Sequence, residues 1–350
     1  MSKDSNNRVT QGDVARKAGV SLPVVSYVVN DGPRPVAAQT RQRVLDAIDD
    51  LGYRTNYVAR SLRSQRTYTI GLIVPDTTNY FYSAVAKGVE DTTYHNGYSL
   101  ILCNTDESIK RQSQYIENLV SRQVEGVIYI TTTIEAKELV LLNHFNIPSV
   151  YIDPEGRIDQ QTMQQINFIS VDSQGGGCAV ATHLLERGHR RMACITGRPK
   201  EAPHSDWEWH RQDGFKRVAQ EAGCNPDIIW AGQGPDDGYQ AALQLLSKEE
   251  PPTAIFACND TLAIGVLRAA HDMGLKVPED LAVCGFDDIA LAQYVTPRLT
   301  TVRIRKHALG QKAAELLFNL LNENHHPEIE TQAYAQSGIF ETELIIREST

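Results

Sequence analysis

"TQGDVARKAGVSLPVVSYVVN", residues 10–30, decides how the start of the chain folds. Thr10, with Asp13 three places on, has the form of a capping box. Val14 and Ala18 share a helical face, and Gly19 is a stop. Ser21 can cap a second helix almost at once. Two short helices joined by a tight Gly-containing turn are the signature of a helix-turn-helix. The second helix is unusual for a surface element. Pro23 stands in its first turn, where amides have no intrahelical acceptor. Its outer side offers Leu22 and Tyr27 and no Lys or Arg.

Outward from this stretch, "DGPRPVAA" is a Gly/Pro loop. A third helix is expected over about 39–51, with Val44, Leu45, Ile48 and Leu51 on one face and Gly52 ending it. The following "NYVARSLRSQR", 56–66, is too short and too basic to hold a helix alone, and reads as a linker that folds on binding.

From residue 68 the pattern becomes strand–helix alternation. Apolar runs stand at 69–74, 99–104, 126–130, 149–153, 168–172, 192–197, 253–259 and 281–287. Amphipathic stretches lie between them, for example 108–122, 176–187, 236–247 and 261–273. Continuous apolar strands separated by helices argue for parallel sheets. The length of this region is large for one doubly wound sheet, so two lobes are expected. Ligands of such sheets bind beyond the carboxyl ends of the strands. The polar residues there are Asp76, Asn104, Asp153, Asp172, Asn259 with Asp260, and Asp287 with Asp288.

The net charge of −9 is unevenly spread over the 350 residues. Residues 1–66 hold eleven Lys/Arg against six Asp/Glu, which is +5, and the remainder carries −14. A basic head on an acidic body implies that the head meets a polyanion. No run of about 18 apolar residues exists, so no membrane span is expected. The N-terminus lacks an apolar leader. The six cysteines show no CxxC pairing and read as small core residues in a reducing, cytoplasmic setting. The ten histidines show no HExxH spacing, and no metal or cofactor is expected. The adjacent Asp287 and Asp288 sit in a strand-like segment, where neighbours point apart, so they are no general acid/base couple. "GGG" at 175–177 lacks the spacing of a phosphate loop and suits close packing instead. No nucleophile–base constellation stands out, so the chain is not read as an enzyme.

Taken together, these phrases resemble the lactose/galactose repressor (LacI/GalR) family of transcription regulators over essentially the whole chain. The head phrases are "VTQGDVARKAGVS…VVSYVVN" and "TRQRVLDAIDDLGYRTNYVARSL". The body phrases include "TIGLIVPDTTNYFY", "LLERGHRRMACITG", "RQDGF", "PPTAIFACNDTLAIGVLRAAHDMGLKVPEDLAVCGFDD" and "TPRLTTVR", in order and at family spacing. The resemblance implies an α/β architecture in three parts. A helix-turn-helix head occupies 1–55 and a hinge helix 56–67. A two-lobed, periplasmic-binding-protein-like body with two parallel sheets occupies 68–350. Its N-lobe is expected over about 68–165 plus 298–328, and its C-lobe over about 166–297 plus 329–350. The implied function is a homodimeric repressor on a pseudo-palindromic DNA operator, controlled by a small effector bound between the lobes.

The family's DNA contacts carry over to named positions. Thr10, Ser21, Ser26, Asn30 and Thr40 match phosphate-contact positions, where short hydroxyl and amide side chains suit the backbone. Leu22, Pro23 and Tyr27 match the base-reading positions. They offer apolar contact, as to a thymine methyl, and one hydroxyl. Tyr53, Asn56, Ala59, Arg60 and Leu62 match the remaining contacts, and Leu62 matches the Leu that wedges into the minor groove and kinks the duplex. Thr55 stands where the family usually has Pro. For the effector, Arg211, Asn259, Asp287 and Asp153 match cleft positions. Asn79, Tyr80 and Phe81 match an Asn-Pro-Phe segment that contributes an aromatic floor, with Tyr in place of Pro. Trp207 and Trp209 stand in a segment before Arg211 that is longer than usual. Indole rings beside a fork donor and carboxylates suit a carbohydrate. The alternatives are a corepressor-type regulator answering to a nucleobase or other metabolite, and a solute-binding protein with no DNA role.

Overall fold

A computed structural model describes residues 9–29, 32, 34–54, 66–130, 135–153, 166–197, 210–325 and 337–350. The chain divides into two compact units, Met1–Thr67 and Tyr68–Thr350.

In the first unit, α1 (Gln11–Ala18) starts on the expected capping box. The Thr10 hydroxyl donates to Asp13 at 2.7 Å and accepts from the Asp13 amide at 3.3 Å. Gly19 ends the helix at φ 62, in the left-handed region where a Cβ is unwelcome. Then α2 (Leu22–Val29) follows, with the Ser21 carbonyl accepting from the Val24 and Val25 amides. In α3 (Ala38–Leu51) the inward stripe is Val44, Ala47, Ile48 and Leu51, at helical spacing. Leu45, expected on that stripe, is exposed, because it lies one residue, about 100° round the helix, from Val44. Val14, Ala18, Val25, Val28, Val44, Ala47 and Tyr53 form the small core.

The second unit has two sheets. The N-lobe sheet runs in the order β11-β5-β4-β3-β1-β2. Its strands are β1 (Thr69–Val74), β2 (Ser99–Asn104), β3 (Gly126–Ile130), β4 (Ser149–Asp153), β5 (Asn167–Val171) and β11 (Ser337–Phe340), all parallel. The C-lobe sheet runs β12-β10-β9-β8-β6-β7. Its strands are β6 (Met192–Gly197), β7 (Asp227–Ala231), β8 (Ala254–Ala257), β9 (Ala282–Asp287), β10 (Thr300–Arg303) and β12 (Glu343–Ile345). β12 runs antiparallel to β10, a departure from the all-parallel expectation at one edge.

The lobe boundaries differ from the expected ones. β5 pairs with β4, so the N-lobe extends past 165 to Val171. β10 pairs with β9, so residues from 298 to Arg303 stay in the C-lobe. β11 pairs with β5, which returns 337–340 to the N-lobe. Ladder pairing decides membership, and a buried apolar run has the same appearance whichever sheet it joins. The chain therefore passes between lobes three times, after β5, after β10 and after β11.

The N-lobe helices are α4 (Tyr80–His95), α5 (Ile109–Ser121), α6 (Ala136–His144) and α11 (Lys306–His325). The C-lobe helices are α7 (Ser173–Glu186), α8 (His210–Glu221), α9 (Pro235–Leu246) and α10 (Asp260–Asp272). Three helix pairs meet at reciprocal glycines: Gly88 with Gly310 across α4 and α11, Gly177 with Gly214 across α7 and α8, and Gly238 with Gly265 across α9 and α10. A Cβ on Gly88 would lie 2.0 Å from the His307 carbonyl oxygen, and one on Gly177 1.9 Å from that of Arg211. Close packing thus accounts for the last glycine of "GGG", while Gly176 faces the Phe286 ring of the sheet.

Candidate functional site

The head exposes the surface that its sequence prescribes. Val25 and Val28 face inward and fix the rotation of α2, so Ser21, Leu22 and Pro23 are exposed, Leu22 by 52%. Ser26, Tyr27 and Thr40 are half-buried and Thr10 is exposed. Tyr53 is buried in the head's core, so its ring packs there. Asn30, Asn56, Ala59, Arg60 and Leu62 lie outside the described residues.

In the body, the carboxyl ends of the strands bring several expected residues together. Arg211 opens α8, and Asp287 ends β9. Arg211 is only 3% exposed and Asp287 only 4%. The Arg211 Nη1 lies 3.2 Å from Asp287 Oδ1 and donates to the Cys258 carbonyl at 2.7 Å. Its guanidinium stands 4.0 Å over the Phe286 ring centre. A planar cation held on one face by an aromatic ring and at its end by a carboxylate is rigidly aimed. Asn259 caps α10, its Oδ1 accepting from the Leu262 amide at 2.7 Å, and its Nδ2 points to Gln233 Oε1 at 3.4 Å. Asp153 ends β4 of the other lobe and is fully buried.

Other expected residues serve differently. Asn79 caps α4, its Oδ1 accepting from the Phe81 amide at 2.8 Å. Phe81 is buried in the core beside Val85 and edge-on to Tyr82. Tyr80, where the family has Pro, is 47% exposed. A capping Asn followed by an alternating helical stripe sends the first residue out and the second in. Trp207 and Trp209 lie outside the described residues.

At Asp287 and Asp288 the extended segment expected from the sequence is not found: φ is 104 at Asp287 and 48 at Asp288. Two successive non-glycine residues with positive φ cost of order 1–3 kcal/mol each and persist only when their surroundings enforce them. Here they are enforced. Asp288 accepts from Arg303 Nε at 2.6 Å and from Arg347 Nη2 at 2.6 Å. Burial opposes its charge, but these two arginines hold its carboxyl below the usual range. Asp260, fully buried, accepts from the Ile289 amide at 2.7 Å and the Thr301 hydroxyl at 2.5 Å. Burial, and then the Asp287 charge, push its carboxyl well up.

Sequence reasoning missed Lys306. Its Nζ donates to the Asp287 carbonyl and, at 2.8 Å, to that of Asp288. Burial draws its ammonium down against the pull of Asp287 and Asp288. No local signal marks it, since it stands in "RIRKHALG" as one cation of three.

Among the described residues, no helix is long and apolar enough to cross a membrane, and no group of three or more His, Cys, Asp or Glu could hold a metal ion. Five cysteines are buried and Cys178 is half-buried, all as free thiols.

Comparison with known proteins supplies a second line of observation. Residues 10–56 match the family described as bacterial regulatory proteins, lacI family, and residues 181–350 match the periplasmic binding protein-like domain. The HTH-type transcriptional repressor PurR of Vibrio vulnificus (strain CMCP6) is 38% identical over 319 residues, covering 90% of this chain and 92% of that protein. PurR of Vibrio atlanticus (strain LGP32) is 39% identical over 321 residues with the same coverage. Among solved structures, the lac repressor dimer bound to operator and the anti-inducer ONPF matches with a TM-score of 0.84 and 26% identity, over 98% of this chain and 99% of that one. The transcriptional regulator CelR in complex with cellobiose matches at 0.69 and 27%, over 98% and 100%. A LacI family regulator from Enterococcus faecalis V583 with bound ribose matches at 0.69 and 30%, over 81% and 98%.

Proposed function

The chain belongs to the LacI family of DNA-binding transcriptional repressors with an effector-binding domain, and from that premise we propose that Arg211, Asp287, Asn259 and Asp153 bind its effector. The observation that carries this is the buried Arg211–Asp287 pair at the carboxyl ends of the C-lobe strands. A desolvated guanidinium and carboxylate, fixed by Phe286 and the Cys258 carbonyl, are pre-organised to share their hydrogen bonds with a ligand. The effector is a carbohydrate, in line with the cellobiose and ribose bound by structural neighbours. A second reading is a nucleobase. An acceptor and a fork of donors side by side match the edge of a heterocycle as well as a vicinal diol.

The head reads DNA through Leu22, Pro23 and Tyr27, with Thr10, Ser21, Ser26 and Thr40 at phosphates. Tyr53, Asn30, Asn56, Ala59, Arg60 and Leu62 complete the proposed set. The assembly is a homodimer, as the lac repressor is on its operator. Tyr94 and Leu102 in one lobe, and Leu291 and Tyr294 in the other, are exposed apolar side chains that a second subunit would cover. Effector binding changes operator affinity with a coupling of order 1–3 kcal/mol, a roughly 5–150-fold switch.

The test uses the full chain and duplex DNA selected by it from random sequence. Cellobiose, ribose, adenine, guanine and hypoxanthine are screened for a rise in melting temperature, since binding to the native state stabilises it. The expected result is one class of probe that raises the melting temperature and alters DNA affinity, with both effects lost in Arg211→Met. Binding of a probe undiminished in Arg211→Met would refute the assignment of the pair. Operator binding retained by residues 68–350 alone would refute the role of the head.

A further inference from the structure

We propose that Lys306 is a positioning residue for the Asp287 carboxylate that contacts the effector, and that it ties the setting of Asp287 to the other lobe. This rests on the reading of Arg211 and Asp287 as effector contacts. Lys306 is the first residue of α11, a helix whose packing partners are α4, β3, β4 and β5 of the N-lobe. Its ammonium nevertheless donates to two carbonyls of the C-lobe, those of Asp287 and Asp288. These are the two residues whose φ angles, 104 and 48, lie in a region that L-residues rarely adopt. Asp260, Thr301, Arg303 and Arg347, which also bond to this turn, belong to the C-lobe. Lys306 is distinct among them in being carried by an N-lobe helix.

The consequence is mechanical. Relative motion of the lobes moves the start of α11 against the end of β9. With the ammonium bridging both carbonyls, that motion acts on the turn that aims the Asp287 carboxylate at Arg211. Removal of the charge frees the turn to relax towards ordinary φ values, which rotates the carboxylate away from the guanidinium. Lobe arrangement and effector affinity are thereby coupled through one side chain, as an element whose state two sites both bias.

The experiment compares the full chain with Lys306→Met and Lys306→Arg. Without any ligand, amide hydrogen exchange in the segment 284–290 is expected to rise about ten-fold in Lys306→Met, as loss of a charge-assisted hydrogen bond implies. Exchange in β6 and β8 should be unchanged, and Lys306→Arg, which keeps a donor for the carbonyls, should restore protection. Unchanged exchange at 284–290, or an equal rise across the whole C-lobe, would overturn the proposal. In a second arm, the probe among cellobiose, ribose, adenine, guanine and hypoxanthine that stabilises the wild-type chain should bind Lys306→Met about ten-fold more weakly, and equal affinity would overturn the proposal too. If Arg211→Met binds that probe normally, the effector reading falls. The exchange arm then still decides whether Lys306 sets the turn.

Discussion

At the scale of single residues, the pair Asp287–Asp288 carries two jobs in adjacent positions. Asp287 faces Arg211, and Asp288 is clamped by Arg303 and Arg347. Because those arginines hold the Asp288 carboxyl low, its contribution to stability is present above the ordinary carboxylate value of 3.8 and disappears as pH falls through its lowered one. The melting temperature of the wild-type chain should therefore fall more steeply than that of Asp288→Asn between about pH 5 and pH 3. Parallel curves would show that the clamp adds nothing as a charge pair. Of the proposed site, Asn259, Asp287 and Asp153 could be named in advance because they follow or end apolar strands, whereas Arg211, on a helix, could be named only from the resemblance. The burial of Phe81 was not legible from the resemblance, which carries residue type, while the helical stripe after the Asn79 cap dictates burial. Lys306 was invisible because its partners are backbone carbonyls, which no side-chain pattern announces.

At the scale of elements, the long apolar runs declared themselves. β1, β2, β3, β4 and β6 begin and end where their residues predicted. The weaker strands escaped. β7, "DIIWA", is an edge with exposed Trp230, and β10 and β12 are short and partly polar. Their pairing is set by neighbours far away in sequence, so local pattern could not reveal it. The reciprocal glycines make a sharper statement about helices. In Gly88→Ala the new methyl would meet the His307 carbonyl at 2.0 Å, and neither helix can yield without moving its own ladder. Overpacking of this kind should destabilise the body by about 1–3 kcal/mol. Urea denaturation of Gly88→Ala beside Gly97→Ala, where nothing lies within 4 Å but φ is 76, would separate crowding from backbone strain. An undiminished midpoint in Gly88→Ala would show that the helices are not locked there.

At the scale of the molecule, charge divides the work between a basic head and an acidic body, and the head alone is proposed to meet phosphates. Affinity of the full chain for its selected duplex should fall linearly with log salt concentration, with a slope of about −0.9 per phosphate neutralised. If the Arg60 cation neutralises a phosphate, Arg60→Ala should flatten that slope by about one such unit, and an unchanged slope would show that it neutralises none.

The three passages between lobes also govern the order in which the protein can come into being. The N-lobe sheet takes its edge strand from 337–340 and one of its packing helices from 306–325, after the main body of the C-lobe has been made. A ribosome emits the chain from its N-terminus, so five strands of the first lobe leave the exit tunnel long before the sixth and before α11. Through that interval the outer edge of β5 has no neighbour, and the apolar residues that α11 will cover remain open to water. The first lobe is thus finished only after the main body of the second, with β12 of the second lobe following a few residues later, and a chain stalled near residue 300 would present the cell with a completed head on an uncovered sheet.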